Sequence, residues 1–166
     1  MNNQEMLDIL RGVRFLHGIP DQYLQSIASI AEVREVRAGS VMFREGQTHP
    51  YIYLVIHGAV ALEIWISGRT VKRVETVGDG ELLGWSPTLA QSAMTATGRA
   101  LQPTRVIVID ATQLVALCEH SPRFGFEFMR RTAQALAHRL GALRLQLLDV
   151  YRDEIPTAPV SNVEEA

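Results

Sequence analysis

A chain of 166 residues, 47% hydrophobic and 20% charged, carries enough apolar material for one globular domain with a real core. Its net charge of -2 gives no general pull toward nucleic acid or an anionic membrane. The single cysteine, Cys118, excludes an internal disulfide and a cysteine-built zinc or iron–sulfur site, and suits a reducing compartment.

The N-terminal MNNQEMLDIL lacks the basic start and long apolar stretch of a signal peptide, and no run reaches the ~18 apolar residues of a membrane span. A soluble, cytoplasmic protein without membrane association is the expectation. Helices are predicted over residues 4–13 and 20–30. In the second, Asp21 is placed as the cap, and Tyr23, Leu24, Ile27 and Ile30 form an apolar stripe.

From Glu32 to Asp110 the texture changes, with glycines at 39, 46, 58, 68, 78 and 84 separating short β-rich runs. Strands of this length and spacing argue for a sandwich or barrel. VREVRAG and SVMFREG lead into a loop at 47–50. YIYLVIHG, AVALEIWISG and RTVKRVETVG follow, with turns at His57-Gly58 and Ser67-Gly68. Two further strands join at Gln102-Pro103. The run 51–56 is apolar on both faces, which predicts a strand covered on both sides.

A helix is predicted from Ala111 to His120, then a fresh start at Ser121-Pro122. The remainder to Tyr151 is one long helical pattern in which Phe126, Met129, Ala133, Leu136, Leu140, Leu143, Leu147 and Val150 alternate by three and four, a seam of more than three heptads. Its early part, from Phe124 to Ala133, is expected to pack on the chain's own domain. The later part is expected to pair with a second copy through Leu136, Leu140, Leu143, Leu147 and Val150, and Gly141 permits a close helix approach. The arginines at 123, 130, 131, 139 and 144 read as a solvated face of this helix. Cys118, in an apolar helical run, reads as an inert thiol. The acidic, proline-containing stretch 152–166 reads as a disordered tail.

This order of elements resembles the cyclic nucleotide-binding domain of the Crp/Fnr type. The likeness is carried by FLHGIPDQYLQSIASIAEVREVRAGSVMFREGQ, by YIYLVIHGAVAL, and by GDGELLGW followed by MTATGRAL in the place of the family's phosphate-binding cassette. The resemblance implies a mainly β fold: an antiparallel, jelly-roll-like β-roll over about 32–110, with N-terminal helices and a long C-terminal dimerisation helix. It makes 1–151 one domain.

In that family a glycine–glutamate pair meets the ribose, and an arginine before a small Ser/Thr-Ala-Thr strand neutralises the cyclic phosphate with a forked contact. Aligned on this sequence, the glycine is Gly84, the glutamate position is Trp85, and the arginine position is Met94 ahead of Thr95-Ala96-Thr97. Both charged readers are replaced. Losing one partner of a buried charged hydrogen bond costs about 2–5 kcal/mol. Glu81 is displaced by three residues from the glutamate position, and strand alternation turns Arg99 away from the face of Met94. Ser86 is expected to cap a short helix whose first turn holds Pro87.

The expected ligand pocket therefore comprises Leu82, Leu83, Gly84, Trp85, Ser86, Met94, Thr95 and Ala96. Three occupants stay open: none, a more apolar ligand against Trp85 and Met94, or a cyclic nucleotide with altered specificity.

No enzyme is expected. A cupin-type metal centre needs several converging histidines, whereas only His49 and His57 of the five fall within the roll. Haem ligation by either is left open, and no metal or cofactor is assigned. Ser86 sits in GWSP, not in a nucleophile-elbow pattern. Only fifteen residues follow Tyr151, too few for a helix-turn-helix domain, so direct DNA binding is not expected. A non-catalytic regulatory or signalling module remains, homodimeric and acting on a protein partner that sequence does not name.

Overall fold

The computed structural model describes residues 2–67, 70–89 and 93–150, with the side chain of Val150 left aside. The expected tail at 152–166 and the glycine of the Ser67-Gly68 turn lie outside the described residues. The chain opens with α1 (Asn3–Gly12), a 3-10 turn at Arg14–Leu16 and α2 (Asp21–Ala28). Asn2 caps α1 by accepting from Glu5 N–H, and the Glu5 carboxylate accepts in return from Asn2 N–H, a reciprocal capping box. Pro20, not Asp21, holds the cap position of α2. Asp21 is drawn away by Arg11, with which it forms an ion pair at 2.8 Å.

Eight strands follow: β1 (Ala31–Val36), β2 (Val41–Phe43), β3 (Tyr51–His57), β4 (Val60–Ser67), β5 (Thr70–Val77), β6 (Leu82–Leu83), β7 (Thr97–Ala100) and β8 (Thr104–Asp110). Their pairings are all antiparallel, in two four-stranded sheets ordered β1-β8-β3-β6 and β2-β7-β4-β5. This is the β-roll that the family resemblance implied. The two-residue β6 is the addition, since it carries too few residues to show a period.

Strand β3 explains why the roll has two cores. Ile52 and Leu54 pack on one side with Leu10, Leu16, Ile27, Leu114, Phe124 and Phe128, the helices' contribution. Tyr53 and Val55 face the other way, into the roll with Phe43, Val60, Leu83 and Met94. Successive side chains on a strand point to opposite faces, so one apolar run serves both clusters. Each such leucine or isoleucine contributes about 1.5–3 kcal/mol on burial.

Two helices close the chain, α3 (Ala111–His120) and α4 (Pro122–Val150). Asp110 caps α3 by accepting from Gln113 N–H at 2.9 Å. Gly125 lets the two helices cross closely, because a Cβ there would stand 2.7 Å from the carbonyl oxygen of Cys118. Cys118 is half-buried, and burial raises its thiol pKa, in keeping with an inert role.

The C-terminal helix has a graded attachment. Phe124, Phe128 and Thr132 are buried, Leu136 and Leu143 are half-buried, and residues 144–149 are exposed throughout. The arginines divide in a way that periodicity did not foresee. Arg131 donates to the carbonyl of Phe15 at 2.8 Å. Arg139, its side chain 11% exposed, pairs with Glu75 at 3.0 Å and also donates to the carbonyl of Leu82. Both are clasps holding α4 to the body, not members of a solvated face.

Candidate functional site

The cassette begins where Gly80 N–H donates to Val55 O at 2.7 Å and Val55 N–H donates to Glu81 O at 3.0 Å, tying the loop to β3. The two residues of β6 then split: Leu82 joins the helix-side core and Leu83 the roll interior. Gly84 turns the chain with φ +71°, and a Cβ there would sit 3.3 Å from the Tyr53 ring. Position and conformation both require glycine.

Trp85 takes the cap position of a single 3-10 turn, Ser86–Thr88, and its carbonyl accepts from the Thr88 hydroxyl at 2.6 Å. The expected capping role of Ser86 is not realised, for Ser86 is the first residue of the turn and is buried.

Met94 lies 3% exposed in the roll interior, fixed by its N–H to Gln47 O at 3.0 Å and by Gly46 N–H to its carbonyl at 2.8 Å. Of the eight residues expected to form a pocket, Trp85, Thr95 and Ala96 line an actual cavity, whereas Leu82, Leu83, Gly84, Ser86 and Met94 are not among its lining residues.

That cavity, about 670 Å³, lies between the roll and α4. Strand β4 supplies Leu62, Ile64 and Ile66, and the cassette supplies Trp85, Thr95 and Ala96. Four of the five expected dimer residues, Leu136, Leu140, Leu143 and Leu147, form its helical wall beside Arg139. The fifth, Val150, has a side chain outside the described residues.

Strand β5 lines the cavity through an irregularity. Leu62 opposes Glu75 and Glu63 opposes Arg73, so Val74 is an extra, bulged residue. The bulge lets Lys72, opposite Ile64, and Glu75, opposite Leu62, both share the face of their partners. In a regular ladder one of them would point away.

The two charged residues weighed as replacements lie elsewhere. Arg99 pairs with Glu63 at 3.0 Å and donates to Gly39 O at 3.1 Å. Glu81 accepts from Gly78 N–H at 2.8 Å and pairs with Arg14 at 3.2 Å. Neither is a lining residue of the cavity. Burial raises the Glu75 carboxyl above its ordinary pKa, an effect that neighbouring Arg139 opposes.

The roll histidines are already engaged. His49 Nε2 lies 2.6 Å from the Tyr53 hydroxyl, and His57 Nδ1 lies 3.1 Å from Asp79. Among the described residues no group of three or more His, Cys, Asp or Glu is placed to hold a metal ion. No described helix is long and apolar enough to cross a membrane.

Two sheets in this order, a glycine-turned cassette and a cavity closed by the last helix agree with the family model "Cyclic nucleotide-binding domain", which matches residues 33–121. The chain belongs to that family. A cyclic nucleotide-binding domain from Methylobacillus flagellatus superimposes with a TM-score of 0.73 at 18% identity, covering 95% of this chain and 86% of that one. The Thermus thermophilus catabolite activator protein does so with a TM-score of 0.66 at 25% identity, covering 82% of this chain and 63% of that one.

The HTH-type transcriptional regulator Cmr of Mycobacterium tuberculosis is 26% identical over 133 residues, 80% of this chain and 52% of that regulator. The chain spans about half the length of Cmr and less of the other curated relatives it matches. The cyclic nucleotide-binding domain is a regulatory kind of fold, generally without catalysis of its own.

Proposed function

We propose that this cyclic nucleotide-binding domain is a non-catalytic regulatory module whose cassette no longer reads a cyclic phosphate, and that it works as a homodimer. One observation carries the reading. The position aligned with the family's arginine is Met94, sunk 3% exposed in the roll core, and the position aligned with the glutamate is Trp85, an apolar wall of the cavity. An anion at the usual place meets neither a guanidinium from the cassette nor a carboxylate for the ribose. Removing two charged contacts at about 2–5 kcal/mol each takes a micromolar ligand to the millimolar range or beyond.

The homodimer is supported by the outer half of the α4 seam, where Leu140 is 62% and Leu147 is 55% exposed. Leucines left open on one helix stripe are what a symmetric pairing covers. A partner protein and the absence of direct DNA contact belong to the same proposal.

Calorimetric titration with cyclic AMP and cyclic GMP tests the cassette. Little or no heat at tens of micromolar protein is the expected result. Micromolar binding of either nucleotide contradicts the degenerate cassette.

One feature favours a second reading, a ligand sensor of altered specificity. The cavity persists at about 670 Å³ and takes a cationic side chain, Lys72, from β5. That volume falls within the range of small-molecule sites.

A further inference from the structure

The walls of the cavity are unequal in chemistry. Leu62, Ile64, Trp85, Ala96, Leu136 and Leu143 make a continuous apolar lining across three elements. Positive charge enters from β5 as Lys72, which shares the face of Ile64, whereas Arg73 shares the opposite face with Glu63.

The carboxylates nearest to these cations in the strand register are occupied by other arginines. Glu63, opposite Arg73, is held by Arg99 at 3.0 Å. Glu75, two residues along the bulged strand, is held by Arg139 at 3.0 Å. Among the described residues, Lys72 and Arg73 have no ion-pair partner. The cavity thus has an apolar body and a cationic edge whose charge is uncompensated among the described residues.

We infer that this cavity binds an anionic amphiphile: an acyl chain ending in one carboxylate, its chain along the α4 leucines and Trp85, and its carboxylate at Lys72. The inference rests on the reading that the cavity between the roll and α4 is the module's ligand site. It moves the anion-binding end away from the cassette, where Met94 and Trp85 offer no charge, to the bulged strand on the facing wall.

A carboxylate complements Lys72 because an ammonium–carboxylate contact is charge-assisted. A cyclic nucleotide suits the lining less well. Its ribose and phosphate oxygens would lie against leucines and a tryptophan, leaving polar groups desolvated without partners. A second copy of α4 is expected instead on the outward leucines, Leu140, Leu145, Leu147 and Leu148, which leaves the half-buried Leu136 and Leu143 to the acyl chain.

The test titrates the full chain with dodecanoate below its micelle threshold, with dodecanol as the uncharged equivalent, and with cyclic AMP. Dodecanoate is expected to bind and dodecanol to bind at least about tenfold more weakly, the worth of one charged contact. Lys72→Glu should weaken dodecanoate by a similar factor or more and leave dodecanol unchanged. Two cavity-filling variants, Ala96→Trp and Leu143→Trp, should each abolish binding. The second alters only a half-exposed helix position, so it keeps the test valid if the first fails to fold.

Equal binding of dodecanoate and dodecanol, or indifference to the β5 reversal, overturns the anionic end. Binding that survives both tryptophans overturns the location. Cyclic AMP binding without dodecanoate binding overturns the ligand class and keeps the cavity as the ligand site. Silence from all three overturns the amphiphile and removes support for the cavity as a ligand site as well.

Discussion

At the scale of single residues, His49 shows how the roll disposes of a polar side chain. Its ring stacks on Tyr53, with centroids 5.7 Å apart, and lies edge-on to Tyr51 at 5.6 Å. Burial, helped by the charge of Arg34, lowers its pKa below the ordinary value. The same burial pushes the Tyr53 hydroxyl up to about 12, so it stays protonated and available to the imidazole.

The sign of the linkage follows. An unfolded His49 takes up its proton at about pH 6.5, before the folded one does. Its contribution is therefore present above that pH and is lost as the pH falls through the lower folded value. In His49→Gln the fall in stability between about pH 7 and pH 5 should be shallower, as denaturant melts at stepped pH would show. A parallel pH profile in the two proteins contradicts the assignment.

At the scale of elements, α4 is fastened by few contacts beyond Thr132. Arg139 is the strongest of them, linking the helix to β5 through Glu75 and to β6 through the Leu82 carbonyl. Arg139→Ala leaves the Glu75 carboxylate half-buried and unpaired. Because Glu75 is 24% exposed, solvent screening brings the cost below the buried-pair range, to about 1–3 kcal/mol. Amide hydrogen exchange should accelerate over 136–149 and stay unchanged in β3 and β8, and a uniform response along the chain contradicts a local clasp.

The same helix shows what was legible in advance. The three–four alternation located α4 and its leucines, because burial of an apolar stripe leaves a periodic trace. The role of Arg139 left none, since a charged residue at a seam's flank reads the same whether water or Glu75 receives it. The bulge at Val74 was hidden for a different reason: it exists only relative to β4. Met94 illustrates a third case. Its substitution at the arginine position was plain, but its place inside the roll depended on Gly46 and Gln47, far along the chain. Of the eight expected pocket residues, Trp85, Thr95 and Ala96 line the cavity and the other five are not among its lining residues.

At the scale of the whole molecule, the half-turned seam bears on the proposed homodimer. Leu136 and Leu143 turn partly toward their own roll, whereas Leu140, Leu145, Leu147 and Leu148 are exposed, between 51% and 69%. Pairing of two such helices should therefore depend on the outward leucines. Leu140→Asp with Leu147→Asp is expected to halve the mass seen by sedimentation, whereas Leu136→Asp should chiefly lower thermal stability. A wild-type chain that sediments as a monomer contradicts the dimer outright.

Arg139 has one mechanical consequence. Asp149 lies ten residues beyond it along α4, about 15 Å away at 1.5 Å per residue. The clasp acts as a fulcrum and the remainder of the helix as a lever arm. A tilt of roughly 10° about that point carries the far end through about 2.6 Å over such a length. A displacement too small to notice at Trp85 becomes, at Asp149, one large enough for another protein to feel.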